Sequence, residues 1–174
     1  DQGVFSMTQV LDTDFDGIPD AVEDAGPNNG DGNNDGILDS LQGDVGSIGV
    51  ALRGNGATET TVDVINGIGP GPQPCRQAVD VHAEEPDAFG GDLERFSGLP
   101  YSRPEPALTF ELLDCREATI DVTFHGSNHA AYGWGFRYFG PASPGDANSI
   151  AWYGLPATSA RRTGPATWRL TLTH

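Results

Sequence analysis

Lysine is missing altogether. All nine basic residues are arginine, set against 25 acids, for a formal net charge of -16. A chain so short of positive charge has no basic groove, which excludes nucleic acid as a partner class. Long hydrophobic runs are missing too: none approaches the roughly 20 residues that span a bilayer. Cysteine is scarce, and Cys75 and Cys115 are too few for a disulfide scaffold and badly spaced for a metal site. In an exported protein the pair predicts one disulfide closing a 40-residue span, with two buried free thiols as the alternative. The chain opens on Asp1 with neither an initiating Met nor an apolar leader, which predicts a mature or trimmed product.

What is present is unevenly spread. Residues 1–44 hold eleven acids and no base, while the rest of the chain holds fourteen acids against nine bases. Within the acidic segment, Asp12, Asp14, Asp16, Gly17, Asp20 and Glu23 fall at positions 1, 3, 5, 6, 9 and 12 of a calcium loop, and Asp31, Asn33, Asp35, Gly36, Asp39 and Gln42 fill the same positions 19 residues on. Calcium takes six to eight oxygens at about 2.3–2.6 Å, which alternate side chains of a tight loop supply, with glycine at position 6 for the sharp turn. Ile18 and Ile37, at position 7, are expected to offer a backbone carbonyl and to turn their side chains inward. Two calcium sites are predicted. The second is the weaker, because Asn33 and Gln42 bring less ligand charge, a deficit that Asp44 could offset. One helical turn is expected after each loop, over Asp20–Ala25 and Asp39–Gln42.

Ahead of the loops, Gly3–Leu11 alternates as a strand does and has no local hairpin partner. From Val45 on, short β-prone runs are punctuated by Gly and Pro. Strands are predicted near Val45–Leu52, Thr60–Ile68, Ala78–Val81, Leu93–Phe96, Ala107–Leu113, Ala118–His125, Trp134–Phe139, Ser149–Tyr153 and Thr167–Thr173. The clearest is Thr119–Phe124, with Ile120, Val122 and Phe124 on one face. The predicted organisation is an N-terminal strand (1–11), a compact two-loop calcium segment (12–44) and an antiparallel β-sandwich of immunoglobulin-like or jelly-roll-like type (45–174).

Other residues invite sharper readings. His125 and His129 share a spacing that would suit a metal on a helix, but the intervening Gly, Ser and Asn make a turn, so surface histidines are expected. Ser127, His125 and Asp121 supply triad residue types without a nucleophile elbow. Glu84, Glu85 and Glu105 lie in or beside Pro-flanked loops, with nothing to tune them as acid and base. No enzymatic activity is predicted. Trp134, Phe136 and Tyr138 alternate and are expected to share a core face; if exposed, Trp134, Trp152 and Tyr153 would form a platform for sugar rings.

The two loops resemble thrombospondin type 3 repeats in their short bacterial form, D-x-D-x-D-G-x-x-D-x-x-E, here Asp12–Glu23 and Asp31–Gln42. Ile18–Gln42 looks like the connector that precedes the choice-of-anchor U domain of bacterial surface proteins. Ala107–Phe124 and the aromatic segment Tyr132–Tyr153, with Phe139-Gly140-Pro141 leading to Trp152-Tyr153, are similar to that domain's strands. The family's Gly- and Asp-rich tail and sorting segment are not seen before His174. The resemblance implies an extracellular or cell-surface, non-catalytic β-domain on a calcium connector. On this reading the chain serves display or assembly, with Gly3–Leu11 adding to a neighbouring copy in a filament as one form of it. The alternative is an adhesin or carbohydrate-binding module.

Overall fold

A computed structural model describes residues 9–50, 58–71, 74–84, 95–96, 99–100, 107–127, 135–141 and 150–173. Eleven strands are described: β1 (Val45–Val50), β2 (Thr58–Ile68), β3 (Ala78–Glu84), β4 (Arg95–Phe96), β5 (Leu99–Pro100), β6 (Ala107–Leu112), β7 (Glu117–Phe124), β8 (Arg137–Pro141), β9 (Ile150–Gly154), β10 (Ala160–Arg162) and β11 (Thr167–Thr173). The principal sheet is antiparallel, in the order β1-β2-β7-β11-β10; β3 pairs with β6, β4 with β5 and β8 with β9. The architecture is mainly β and sandwich-like, as the alternating runs predict.

Period-two patterning sets which face is inside. Along β7, Ala118, Ile120, Val122 and Phe124 are buried and the residues between them are not. The register then aligns Val62 with Val122 and Val122 with Trp168, and Val64 with Ile120 and Ile120 with Leu170, so three strands pool their apolar faces. Ala78 and Val81 of β3 close over this face, with Leu108, Phe110 and Leu112 of β6 packed against the same core. Phe136 fills one end, its ring 5.4 Å from Trp168 and 6.1 Å from Phe124.

Cys75 and Cys115 form a disulfide, Cα to Cα 5.3 Å, tying the approach to β3 to the turn before β7. Two described strands were not anticipated: β10, a three-residue run rich in arginine, and β5, which falls between the runs predicted as strands. Tyr138 departs from the shared core face expected with Phe136. Phe136 precedes β8 and is packed in the core, whereas Tyr138 lies within β8 and is 43% exposed. The third member, Trp134, lies outside the described residues, as do His129, Glu85, Glu105 and residues 3–8 of the predicted N-terminal strand. Gln9–Leu11 belong to no strand, and Val10 and Leu11 are exposed.

Candidate metal centre

Both loops fold by one hydrogen-bonding scheme repeated 19 residues apart. The position 1 carboxylate accepts the position 6 amide (Gly17 to Asp12, 3.2 Å; Gly36 to Asp31, 3.0 Å). Position 3 accepts the position 5 amide (Asp16 to Asp14, 3.3 Å; Asp35 to Asn33, 3.2 Å). Position 5 accepts the position 7 amide (Ile18 to Asp16, 2.7 Å; Ile37 to Asp35, 2.9 Å). Position 9 accepts the position 2 amide (Thr13 to Asp20, 2.7 Å; Gly32 to Asp39, 2.9 Å). The dihedrals repeat as well. Gly17 and Gly36 sit at φ +91° and +93°, where glycine alone is unstrained, and position 4 is left-handed in both loops, at Phe15 (φ 64°) and Asn34 (φ 63°). One helical turn follows the first loop (α1, Asp20–Glu23) and a 3-10 turn follows the second (Asp39–Leu41).

These bonds leave a specific set of oxygens over. Asp14 Oδ2, Asp16 Oδ2 and both carboxylate oxygens of Glu23 are buried without a hydrogen-bond partner. They belong to positions 3, 5 and 12 of the first loop. One carboxylate oxygen from each of Asp12, Asp14 and Asp16 lies within 4.8 Å of the others. Asp16 and Glu23 are fully buried. Partnerless buried carboxylate oxygens are costly unless something positive takes them up. An all-oxygen donor set with no imidazole or thiolate suits a hard cation, and calcium above the smaller magnesium. In the second loop the corresponding leftover is Gln42 Oε1, while Gln42 Nε2 donates to Asp35 at 3.2 Å.

Proton affinities follow the same geometry. Burial first, then the neighbouring charges of Asp16 and Asp14, pushes Glu23 up to about 9; the Ser47 amide, standing outside hydrogen-bonding geometry, offsets only part. Asp16 is pushed up to about 7, chiefly by burial, and the Ile18 amide relieves it in part. Burial also raises Asp14 and Asp39.

The segment grips the first strand of the sheet from both sides. On the inner face Ile18 joins the hydrophobic core, close to Val81 and to Gly46 of β1. Asp80 of β3 donates its amide to the Asp16 carbonyl at 2.8 Å, and Gln77 donates to the Phe15 carbonyl at 3.2 Å. On the outer face Gly32 is seated so closely on Ser47, Thr61 and Asp39 that a Cβ there would collide with all three side chains. Between the faces, α1 runs past β1, with Gly26 against the Ser47 side chain and Glu23 near its amide. Among the described residues no strand pairs with the free edge of β1.

Ile37 corrects an expectation. Its side chain is 50% exposed, where Ile18 is 4%. The first loop turns position 7 toward the core, whereas the second meets the outer face through its position 2 glycine, so its position 7 faces solvent. Asp20 and Asp39 use their carboxylates to hold the loop entrance at position 2, and Asp20 also accepts from the Thr13 hydroxyl at 2.7 Å. Burial raises the carboxyl of Asp63 of β2 to about 6, with the nearby Asn33 side chain offsetting part of it.

The remaining candidates are otherwise engaged. Asp121 receives both nitrogens of Arg169, at 2.7 and 2.6 Å, and His125 Nε2 bonds Thr61 Oγ1 at 2.9 Å, so Asp121 and His125 do not meet as a triad would require. Trp152 and Tyr153 are successive residues of β9 and face opposite ways; Trp152 packs beside Phe139, ring centroids 5.2 Å apart. Ser47, Thr61 and Gly32 carry the docking of the segment, and no motif marks them. Only the β-alternation around Ser47 and Thr61 hinted that two hydroxyls would share a face. No protein-family model, no curated protein and no solved structure matches the chain.

Proposed function

We propose that the chain is a non-catalytic, calcium-binding structural β-domain, exported to the cell surface or medium, in which calcium holds the acidic segment against the sheet. The observation that carries this is the set of buried, partnerless oxygens of Asp14, Asp16 and Glu23. They stand at the positions that the calcium template reserves for ligands, and Asp12 and the Ile18 carbonyl complete the first site. Asp31, Asn33, Asp35, the Ile37 carbonyl and Gln42 would form the second. Calcium supplies the positive charge that the segment's own residues lack. The Cys75–Cys115 disulfide fits an oxidising compartment. No described helix is long and apolar enough to cross a membrane.

The test is thermal unfolding with calcium or with chelator. At free calcium 100 times Kd the ion contributes about 2.7 kcal/mol, or about 5–10 °C in Tm for a chain of this length. Asp16→Asn and Glu23→Gln should shrink that difference to the second loop's share; identical melting of the parent protein in both conditions would refute the reading. Exposure of Val10 and Leu11 outside any strand favours assembly by addition of residues 3–11 to a neighbouring copy. Electron microscopy of the chain with and without residues 1–11 checks this, and fibres that persist without them would exclude it.

A further inference from the structure

A row of charged side chains crosses the outer face of the principal sheet, on the side away from the core. The register sets Asp63 of β2 opposite Asp121 of β7, Asp121 opposite Arg169 of β11, and Arg169 opposite Arg161 of β10. Across four neighbouring strands the charges thus run negative, negative, positive, positive. The middle two satisfy each other, because Arg169 donates to both oxygens of Asp121, at 2.7 and 2.6 Å. The outer two do not. Asp63 and Arg161 each stand opposite a like charge, which destabilises a sheet, and among the described residues neither makes an ion pair. The face is also not level. The second loop lies over β1 and β2, with Gly32 against Ser47 and Thr61, so it forms a raised acidic step beside the negative end of the row. That loop carries Ile37, Leu38 and Leu41, all exposed. At the positive end β10 closes the sheet, and Arg161 is exposed.

We propose that this face is the interface of a two-fold homodimer. A two-fold axis lying in the interface, parallel to the strands and between β7 and β11, reverses the order of the row. Asp63 then meets Arg161 of the second copy, and Asp121 meets its Arg169, each contact being made twice. The step of each copy sits beside β10 of the other, whereas an axis across the strands would set step against step. Sheets stack face to face about 10 Å apart, a gap that an arginine and an aspartate close between them. The row belongs to the sheet, so this contact stands apart from the calcium reading and from the addition of residues 3–11.

Sedimentation equilibrium of the full chain in calcium tests this. The expected result is a reversible dimer that saturates at two copies. Arg161→Asp, at an exposed position, sets acid against acid twice in each dimer, and the dissociation constant should rise by at least about 10-fold. Asp63→Arg should do the same by setting base against base. An equal mixture of the two variants should form a dimer again, one copy of each, because both clashes then become attractions. A purely structural role for either residue gives no such rescue. Asp63→Asn serves if Asp63→Arg does not fold; it should weaken the dimer by less than Arg161→Asp does. A parent chain that stays monomeric up to about 1 mM overturns the proposal. So does a dimer that Arg161→Asp leaves intact. Growth beyond two copies would place the contact head to tail, and that too overturns the two-fold arrangement.

Discussion

Phe15 shows how firmly the loop scheme is imposed. It holds φ 64° with its side chain 77% exposed, a backbone region that costs most L-residues about 1–2 kcal/mol, yet the position is needed because the amides on either side must turn inward. The second loop has Asn34 there, a residue that tolerates the conformation. Phe15→Asn should therefore stabilise the protein by about 1 kcal/mol in urea unfolding, leaving calcium affinity unchanged. The carboxylates give a second prediction. Glu23 and Asp16 titrate near 9 and 7 in the folded, metal-free chain, against ordinary values of 4.5 and 3.8. A raised native pKa means that the folded state keeps protons the unfolded state has already lost, so metal-free stability is greatest at low pH and falls as pH rises from about 4 to 9. In chelator, Tm should be higher at pH 6 than at pH 8.5; calcium should remove or reverse that slope, because protons then compete with the ion. A flat profile in chelator would show that the carboxylates are solvated.

At the scale of elements, much of the pattern was open to sequence reading, and the misses have physical causes. β7 and β11 were legible because one face of each is buried, which forces strict alternation through Ile120, Val122, Trp168 and Leu170. β10 was not, since a three-residue edge strand ending in two exposed arginines has no periodicity to betray it. The turn geometry of the loops was legible, because the spaced carboxylates and glycines set the hydrogen-bond scheme that both loops repeat. Their docking was not: it depends on tertiary contact between Gly32 and two hydroxyls more than ten residues away in sequence, and Ile37 was misread because position 7 has no fixed inside until that contact is known. Gly32→Ala tests the docking. The added methyl meets Ser47, Thr61 and Asp39 side chains at once, so a loss of about 1–3 kcal/mol is expected. Protease cleavage within residues 27–42 should rise, and the first loop should keep measurable affinity.

At the scale of the whole molecule, the disulfide and the acidic segment stabilise by different routes. Closing the 40-residue span between Cys75 and Cys115 should contribute about 4 kcal/mol on the loop-entropy account, independently of calcium. Reduction and chelation should therefore lower stability additively in denaturant titrations, since the disulfide lies near β2, β3 and β7 and the ion sites flank β1. A marked excess over additivity would mean that the two regions share an unfolding step. The placement of the segment on β1 also bears on events during synthesis. Residues 12–44 leave the ribosome before the strand they cover, so their contacts with β1 close short loops, while those with Thr61, Gln77, Asp80 and Val81 wait for β2 and β3. β1, whose outer edge no described strand pairs, thus emerges with part of its cover already made, and on the calcium reading that part waits for an ion. On the export reading proposed above, a nascent chain would meet that ion only outside the cell, so this edge would be ordered by the ion's arrival.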